Sequence, residues 1–184
     1  MTDRHQFRAK WHDYNDGIYF VTICCADHRH FFGEISDGKI LLTPIGVMAD
    51  TCLKAIPDHW SDTDLINHIV MPNHIHMIIG IRQSVGTRHV ASAQGNGNSE
   101  AKLGCLQPRR HDAPATQDFH HNSRLPVIVG QFKAAVTKRA RQINPRFGWQ
   151  ARYDEHIIRD SHAFAKITDY ISSNIERWET DCYK

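Results

Sequence analysis

Leu65-Ile66-Asn67-His68-Ile69-Val70-Met71, then Pro72-Asn73, then His74-Ile75-His76-Met77-Ile78-Ile79-Gly80-Ile81 is the stretch that decides the fold. Both flanking runs are apolar and rich in β-branched residues, and a proline and an asparagine separate them, so they read as two strands joined by a tight turn. Pro72 cannot donate to a ladder, which argues against one continuous strand. Side chains alternate along a strand. His74 and His76 therefore share one face, and Ile75, Met77 and Ile79 share the other, where helices can cover them.

Upstream, Gly17–Cys25 (GIYFVTICC) follows Asn15-Asp16 and reads as a buried strand. Phe31–Ile35 and Lys39–Leu42 flank Ser36-Asp37-Gly38 and form a short hairpin arm. Thr43 is placed to cap a helix with Pro44 in its first turn. Ile45, Met48, Ala49, Cys52, Leu53 and Ile56 recur at helical spacing until Pro57. Downstream, Leu125, Ile128, Val129, Phe132, Val136 and Ile143 make one helical stripe, and Asn144-Pro145 stops it. Tyr153–Ile158 reads as a last strand. Asp160 or Ser161 then caps a final helix whose stripe is Phe164, Ile167, Ile171, Ile175 and Trp178. Strand, helix, strand, strand, helix, strand is the order of an α+β, ferredoxin-like split βαβ sandwich with an antiparallel sheet. The hairpin arm and the terminal helix are additions to it, and the His74 strand belongs at the sheet centre.

At 184 residues the chain is long enough for one self-sufficient core. We expect a single domain over 1–184 with a flexible polar insertion at about 82–124, where runs such as Ala93-Gln94-Gly95-Asn96-Gly97-Asn98-Ser99 lack periodicity and apolar residues. No apolar run approaches the ~20 residues needed to cross a bilayer. The charged opening Met1–His5 has no apolar stretch behind it, so no membrane contact and a cytoplasmic location are expected. Five cysteines, an odd number with no C-x-x-C pair, indicate neither a disulfide framework nor a zinc knuckle. A net charge of +2 is too mild to announce a nucleic-acid binder by itself.

Two neighbouring imidazoles are costly to bury unless paired, yet they form half of a divalent-metal site. The plain alternative is a polar pair on an exposed sheet face. Tyr170 and Asn174, four residues apart, stack on one side of the final helix, at the edge of its apolar stripe. A phenol is a poor nucleophile until a cation or a base assists it. Tyr153, beside His156, is the rival nucleophile. His156 itself reads as a structural histidine or a residue lying just behind the site, and His68 is similar.

Val70-Met71-Pro72-Asn73-His74-Ile75-His76, Phe132–Arg139 (FKAAVTKR), Tyr153–Arg159 (YDEHIIR) and Asp169–Asn174 (DYISSN) together resemble the HUH single-tyrosine transposases, most of all the REP-associated tyrosine transposases. The resemblance runs from about Trp11 to Trp178 and is interrupted by the insertion. It implies a ferredoxin-like core and a transposase acting as a single-stranded DNA endonuclease and ligase on hairpin-bearing DNA, such as REP-like or insertion-sequence ends. By the same resemblance Tyr170 forms a 5′-phosphotyrosine, and His74, His76 and Asn174 hold Mg²⁺ or Mn²⁺. Ser172-Ser173-Asn174-Ile175 departs from relatives that carry Gln at the amide position or Asn-Pro after the tyrosine. Lys133, Lys138, Arg139 and Arg141, with Arg8 and Trp11, are the candidate DNA contacts. Monomer and homodimer both stay open, with Tyr170 serving its own His pair or a partner's. A catalytically silent DNA-hairpin-binding protein is the alternative function.

Overall fold

The computed structural model describes residues 16–82 and 123–183. Arg8, Trp11 and the body of the expected insertion lie outside the described residues. The insertion's two boundaries do not. The Arg82 amide donates to the Asp62 carbonyl at 2.8 Å, and the Arg124 guanidinium pairs with the Asp62 carboxylate, so both boundaries meet at one residue.

Four strands make the main sheet: β1 (Gly17–Cys24), β4 (Thr63–Val70), β5 (His74–Ile81) and β6 (Asp154–Ile158). Their order is β4-β5-β1-β6, with every pairing antiparallel. This is the ferredoxin-like arrangement that the element order predicts, with β1 and β5 at the centre. β2 (Gly33–Ser36) and β3 (Lys39–Leu42) form a separate two-stranded arm.

The two sheet faces have different chemistry. Ile75, Met77 and Ile79 of β5 and Tyr19, Val21 and Ile23 of β1 join the main core with α1 (Pro44–Lys54) and α3 (Arg124–Ile143). Such a layer of apolar side chains between a sheet and two helices supplies the main driving force for folding. The opposite face carries His74, His76 and Ile78, with Thr22 and Phe20 beside them on β1. There α4 (Ser161–Ser172) packs Ala163, Phe164, Ile167, Tyr170 and Ile171 against Phe20, Ile78 and Ile158. Among the described residues no helix is long and apolar enough to cross a membrane.

Three local expectations shift. The first helix stops at Lys54, and Ile56–His59 forms a separate single turn, α2, with Pro57 in its first turn, where the missing amide proton costs nothing. Ile143, counted in the α3 stripe, is exposed at the helix end. The final helix ends at Ser172, so Trp178 is buried from the 3-10 turn that follows it, and Ile175 is only half-buried.

Thr43 fixes the start of α1. Its hydroxyl donates to the Phe31 carbonyl at 2.7 Å and accepts from the Gly46 amide at 3.2 Å. A Cβ on Gly46 would lie 2.0 Å from the Phe32 carbonyl oxygen, so only glycine lets this turn meet the arm. Gly46→Ala is expected to destabilise the fold by about 1–3 kcal/mol, the usual range for overpacking. Urea denaturation checks this, and an unchanged midpoint would mean that the arm and α1 do not touch as described.

Candidate metal and tyrosine site

The Pro72-Asn73 turn delivers His74 and His76 to the centre of the sheet. Both are fully buried, which excludes the exposed polar pair. Their Nε2 atoms face one another at 3.0 Å. Asn73 fixes the state of the first ring. The Asn73 amide nitrogen donates to the Tyr183 carbonyl at 2.7 Å and the His28 carbonyl at 3.3 Å. Its oxygen is therefore the atom 2.7 Å from His74 Nδ1, and that nitrogen must carry the proton. A neutral His74 then has a bare lone pair on Nε2. His76 Nδ1 lies 2.9 Å from the Thr22 hydroxyl, its cross-strand neighbour, whose oxygen can accept a hydrogen bond from an Nδ1–H and so leave the second Nε2 bare as well.

Burial also keeps the rings neutral. Loss of hydration pushes His74 down to about 4, with Asp181 opposing the shift and His28 adding to it. His76 is lowered well below the usual histidine range, first by burial and then by His74 beside it. Neutral imidazoles with free lone pairs are the form that ligates a metal.

Tyr170 comes from α4, and its hydroxyl lies 3.3 Å from His76 Nε2 of the same chain. The Tyr170 ring sits edge-on to both His76 and Phe20. Burial and then Asp181 raise its pKa above the ordinary tyrosine value, while the Asn174 amide and Arg177 oppose that rise. Asn174 lies two residues beyond the helix end, yet its turn brings the fully buried amide close to the phenol. Neither Asn174 Oδ1 nor Nδ2 completes a well-formed hydrogen bond.

Asp181 is the residue that the sequence reading missed. Its side chain is 2% exposed, its Oδ2 has no hydrogen-bond partner, and that oxygen lies 3.7 Å from His74 Nε2. His74, His76 and Asp181 each offer a ligand atom within 4.8 Å of the others. An orphaned carboxylate oxygen, an orphaned amide and two imidazole nitrogens form a donor set that a divalent cation would satisfy. Trp178 and Tyr183 enclose it. The Trp178 ring stacks on His74, and the Tyr183 ring centre lies 5.1 Å from that of His74 and 5.6 Å from that of His76.

The remaining candidates lie outside the buried cluster, with His156 near its edge on the Tyr170 side. His156 is exposed on β6 across from Phe20, and Tyr153 packs with the main core beneath α1 and α3. His68 bonds Asp50 at 2.8 Å, as a structural histidine would. The α3 cations lie on the far face of the sheet from the imidazoles. Lys133 donates to the Gln150 carbonyl at 2.7 Å and Arg141 to the Phe147 carbonyl at 3.2 Å, while Lys138 is exposed and Arg139 half-exposed.

The chain is 33% identical over 180 residues to an uncharacterized protein of Haemophilus influenzae, covering 97% of this chain and 91% of that protein. No family model matches it. Among solved structures it superposes on a REP-associated tyrosine transposase bound to a REP hairpin, with a TM-score of 0.52 and 18% identity, covering 97% of this chain and 74% of the other. At that identity the likeness establishes a shared fold.

The buried pair makes stability pH-dependent. Above pH 6.5 both rings are neutral whether the chain is folded or unfolded, so their contribution is complete. As pH falls from 6.5 toward about 4, the unfolded chain takes up protons that the buried rings refuse, and stability drops by up to about 1.4 kcal/mol per pH unit for each ring. Urea denaturation across this window is expected to show that slope in metal-free protein, roughly halved in His74→Gln. An unchanged slope in the variant would contradict a neutral buried His74.

Proposed function

This chain belongs to one family with the Haemophilus influenzae protein and shares its fold with a REP-associated tyrosine transposase; on that premise we propose that it is a transposase that cleaves and rejoins hairpin-bearing single-stranded DNA. The observation that carries this reading is the Tyr170 hydroxyl 3.3 Å from His76 Nε2, beside a buried set of unsatisfied donors. Tyr170 is the nucleophile. Its oxygen forms a bond to the scissile phosphorus, the bond from phosphorus to the 3′ oxygen breaks, and the phenol proton is balanced by the proton gained at the new 3′-OH. One phosphoester replaces another, so a later 3′-OH can reverse the step without an external energy source.

His74, His76 and Asp181, with Asn174 beside them, are the residues that would hold Mg²⁺ or Mn²⁺. A divalent cation there supplies Lewis-acid charge for the phosphoryl oxygens and favours ionisation of the neighbouring phenol. The protein's own share is orientation. Asn73 and Thr22 hold the two rings, and Phe20 packs against His76 and the edge of Tyr170, which fixes the phenol beside the imidazoles while leaving it reachable from the groove.

One observation favours the second reading, a hairpin-binding protein that does not cleave. Tyr183 and Trp178 leave no part of either imidazole exposed. Incubation with hairpin oligonucleotides and Mg²⁺ or Mn²⁺, followed by denaturing gels, separates the two. Cleavage gives a covalent protein–DNA adduct that Tyr170→Phe abolishes without loss of binding. Retention of DNA with no adduct supports the silent binder, and an adduct surviving in Tyr170→Phe contradicts Tyr170 as nucleophile.

Asp181→Asn and Asn174→Ala are each expected to raise the cation concentration for half-maximal binding about tenfold or more. Calorimetric titration of Mn²⁺ checks this. An unchanged affinity in both variants would remove these two residues from the ligand set.

A further inference from the structure

A groove of about 820 Å³ opens beside Tyr170, between α4 and the β1–β6 edge of the sheet. Its floor is apolar, made by Phe20 and Ile167, with Ala163 beside them. Lys166, Arg177, His156 and His162 also line it, against the single carboxylate of Asp169. Among the described residues no carboxylate forms an ion pair with Lys166 or Arg177. An apolar floor with a cationic rim matches an unpaired nucleotide, whose base has a stacking face and whose phosphate is anionic. The volume falls within the range of ordinary ligand pockets.

Chemistry decides which nucleotide. Displacement at phosphorus places the attacking and leaving oxygens roughly in line, so the departing 3′ oxygen lies on the side of the phosphate away from the phenol. The strand that stays attached, through its 5′ oxygen, leaves the phosphate sideways and remains linked to Tyr170. The groove is on the side of Tyr170 itself, walled by its own helix. We infer that this groove binds the nucleotide immediately 3′ of the scissile phosphate, with its base over Phe20 and Ile167 and its backbone near Lys166 and Arg177. The inference rests on the strand-cleaving reading of Tyr170 and adds a substrate subsite to it.

The probe is a pool of hairpin oligonucleotides with randomised single-stranded flanks. Wild-type adducts from this pool map the cleavage position, and abasic sites are then introduced singly around it. With Tyr170→Phe protein, which cannot cleave, the abasic site just 3′ of the mapped phosphate is expected to weaken binding about tenfold. In Tyr170→Phe/Ala163→Phe, where a ring fills the groove, the same abasic site has no further effect, while abasic sites on the 5′ side weaken both proteins equally. Lys166→Glu, an exposed change that spares the core, weakens retention of the pool and lowers the salt dependence of binding by about one counterion. Equal sensitivity to the 3′ abasic site in both proteins, or an unchanged salt dependence in Lys166→Glu, overturns the inference. Should the pool bind but form no adduct, the Tyr170 reading fails separately. The groove is then judged on retention alone: loss in Lys166→Glu and Ala163→Phe keeps it as a strand-binding groove, and no loss in either removes it.

Discussion

One side-chain amide holds the site in order. Asn73 spends its nitrogen on the carbonyls of His28 and Tyr183, which leaves its oxygen facing His74 Nδ1 at 2.7 Å. That contact settles where the His74 proton resides and hence which nitrogen is free. It also ties three distant parts of the chain together: the loop after β1, the turn before β5 and the C-terminal segment. A buried imidazole pair with both protons misplaced would be a costly defect. With Asn73 and Thr22 holding the outer nitrogens, the same pair becomes a set of lone pairs aimed inward.

The sheet divides this work between its two faces. The α1–α3 side is a conventional apolar layer, and the cations of α3 lie over it, two of them bonded to loop carbonyls. The α4 side carries the polar centre, because alternation along β5 sends Ile75, Met77 and Ile79 one way and the two histidines the other. The short helix α4 has to do two jobs. Phe164, Ile167 and Ile171 anchor it to the small second core, and that anchoring sets the height at which the Tyr170 hydroxyl meets His76. The same helix walls the groove through Ala163, Lys166 and Ile167. Cleavage and strand placement would thus be set by one packed element.

Local chemistry in the sequence was enough to read most of this architecture. The Pro72-Asn73 break, the period-2 histidines, the Thr43-Pro44 helix start and the Asp160 cap each have a local cause that needs no tertiary knowledge, and each is found. The meeting of Tyr170 with the His pair followed from resemblance, since nothing in periodicity links residues 94 positions apart. Asp181 and Tyr183 were not legible. They lie beyond the last periodic segment, in turns whose path depends on where Trp178 docks, and an isolated aspartate in such a stretch carries no signal. Asn73 was visible only as a turn residue. Its hold on His74 depends on two carbonyls that come from elsewhere in the fold. Thr22 could have been found by pairing β1 with β5, because the register that aligns Cys24 with His74 puts Thr22 opposite His76. Periodicity alone overruns the helix end at Ser172, because the apolar spacing continues to Trp178 although the backbone has already left the helix.

The central claim is that two neutral imidazoles present their Nε2 lone pairs to one shared cation beside Tyr170. Nitrogen-15 NMR of the histidine rings, recorded first in metal-free protein and then during addition of Mn²⁺, tests it most directly. The account predicts a His74 ring protonated at Nδ1 near neutral pH, and paramagnetic broadening of the Nε2 signals of His74 and His76 together at the same low Mn²⁺ concentration. A His74 protonated at Nε2, or Nε2 signals from both rings that stay sharp as Mn²⁺ is added, would contradict it.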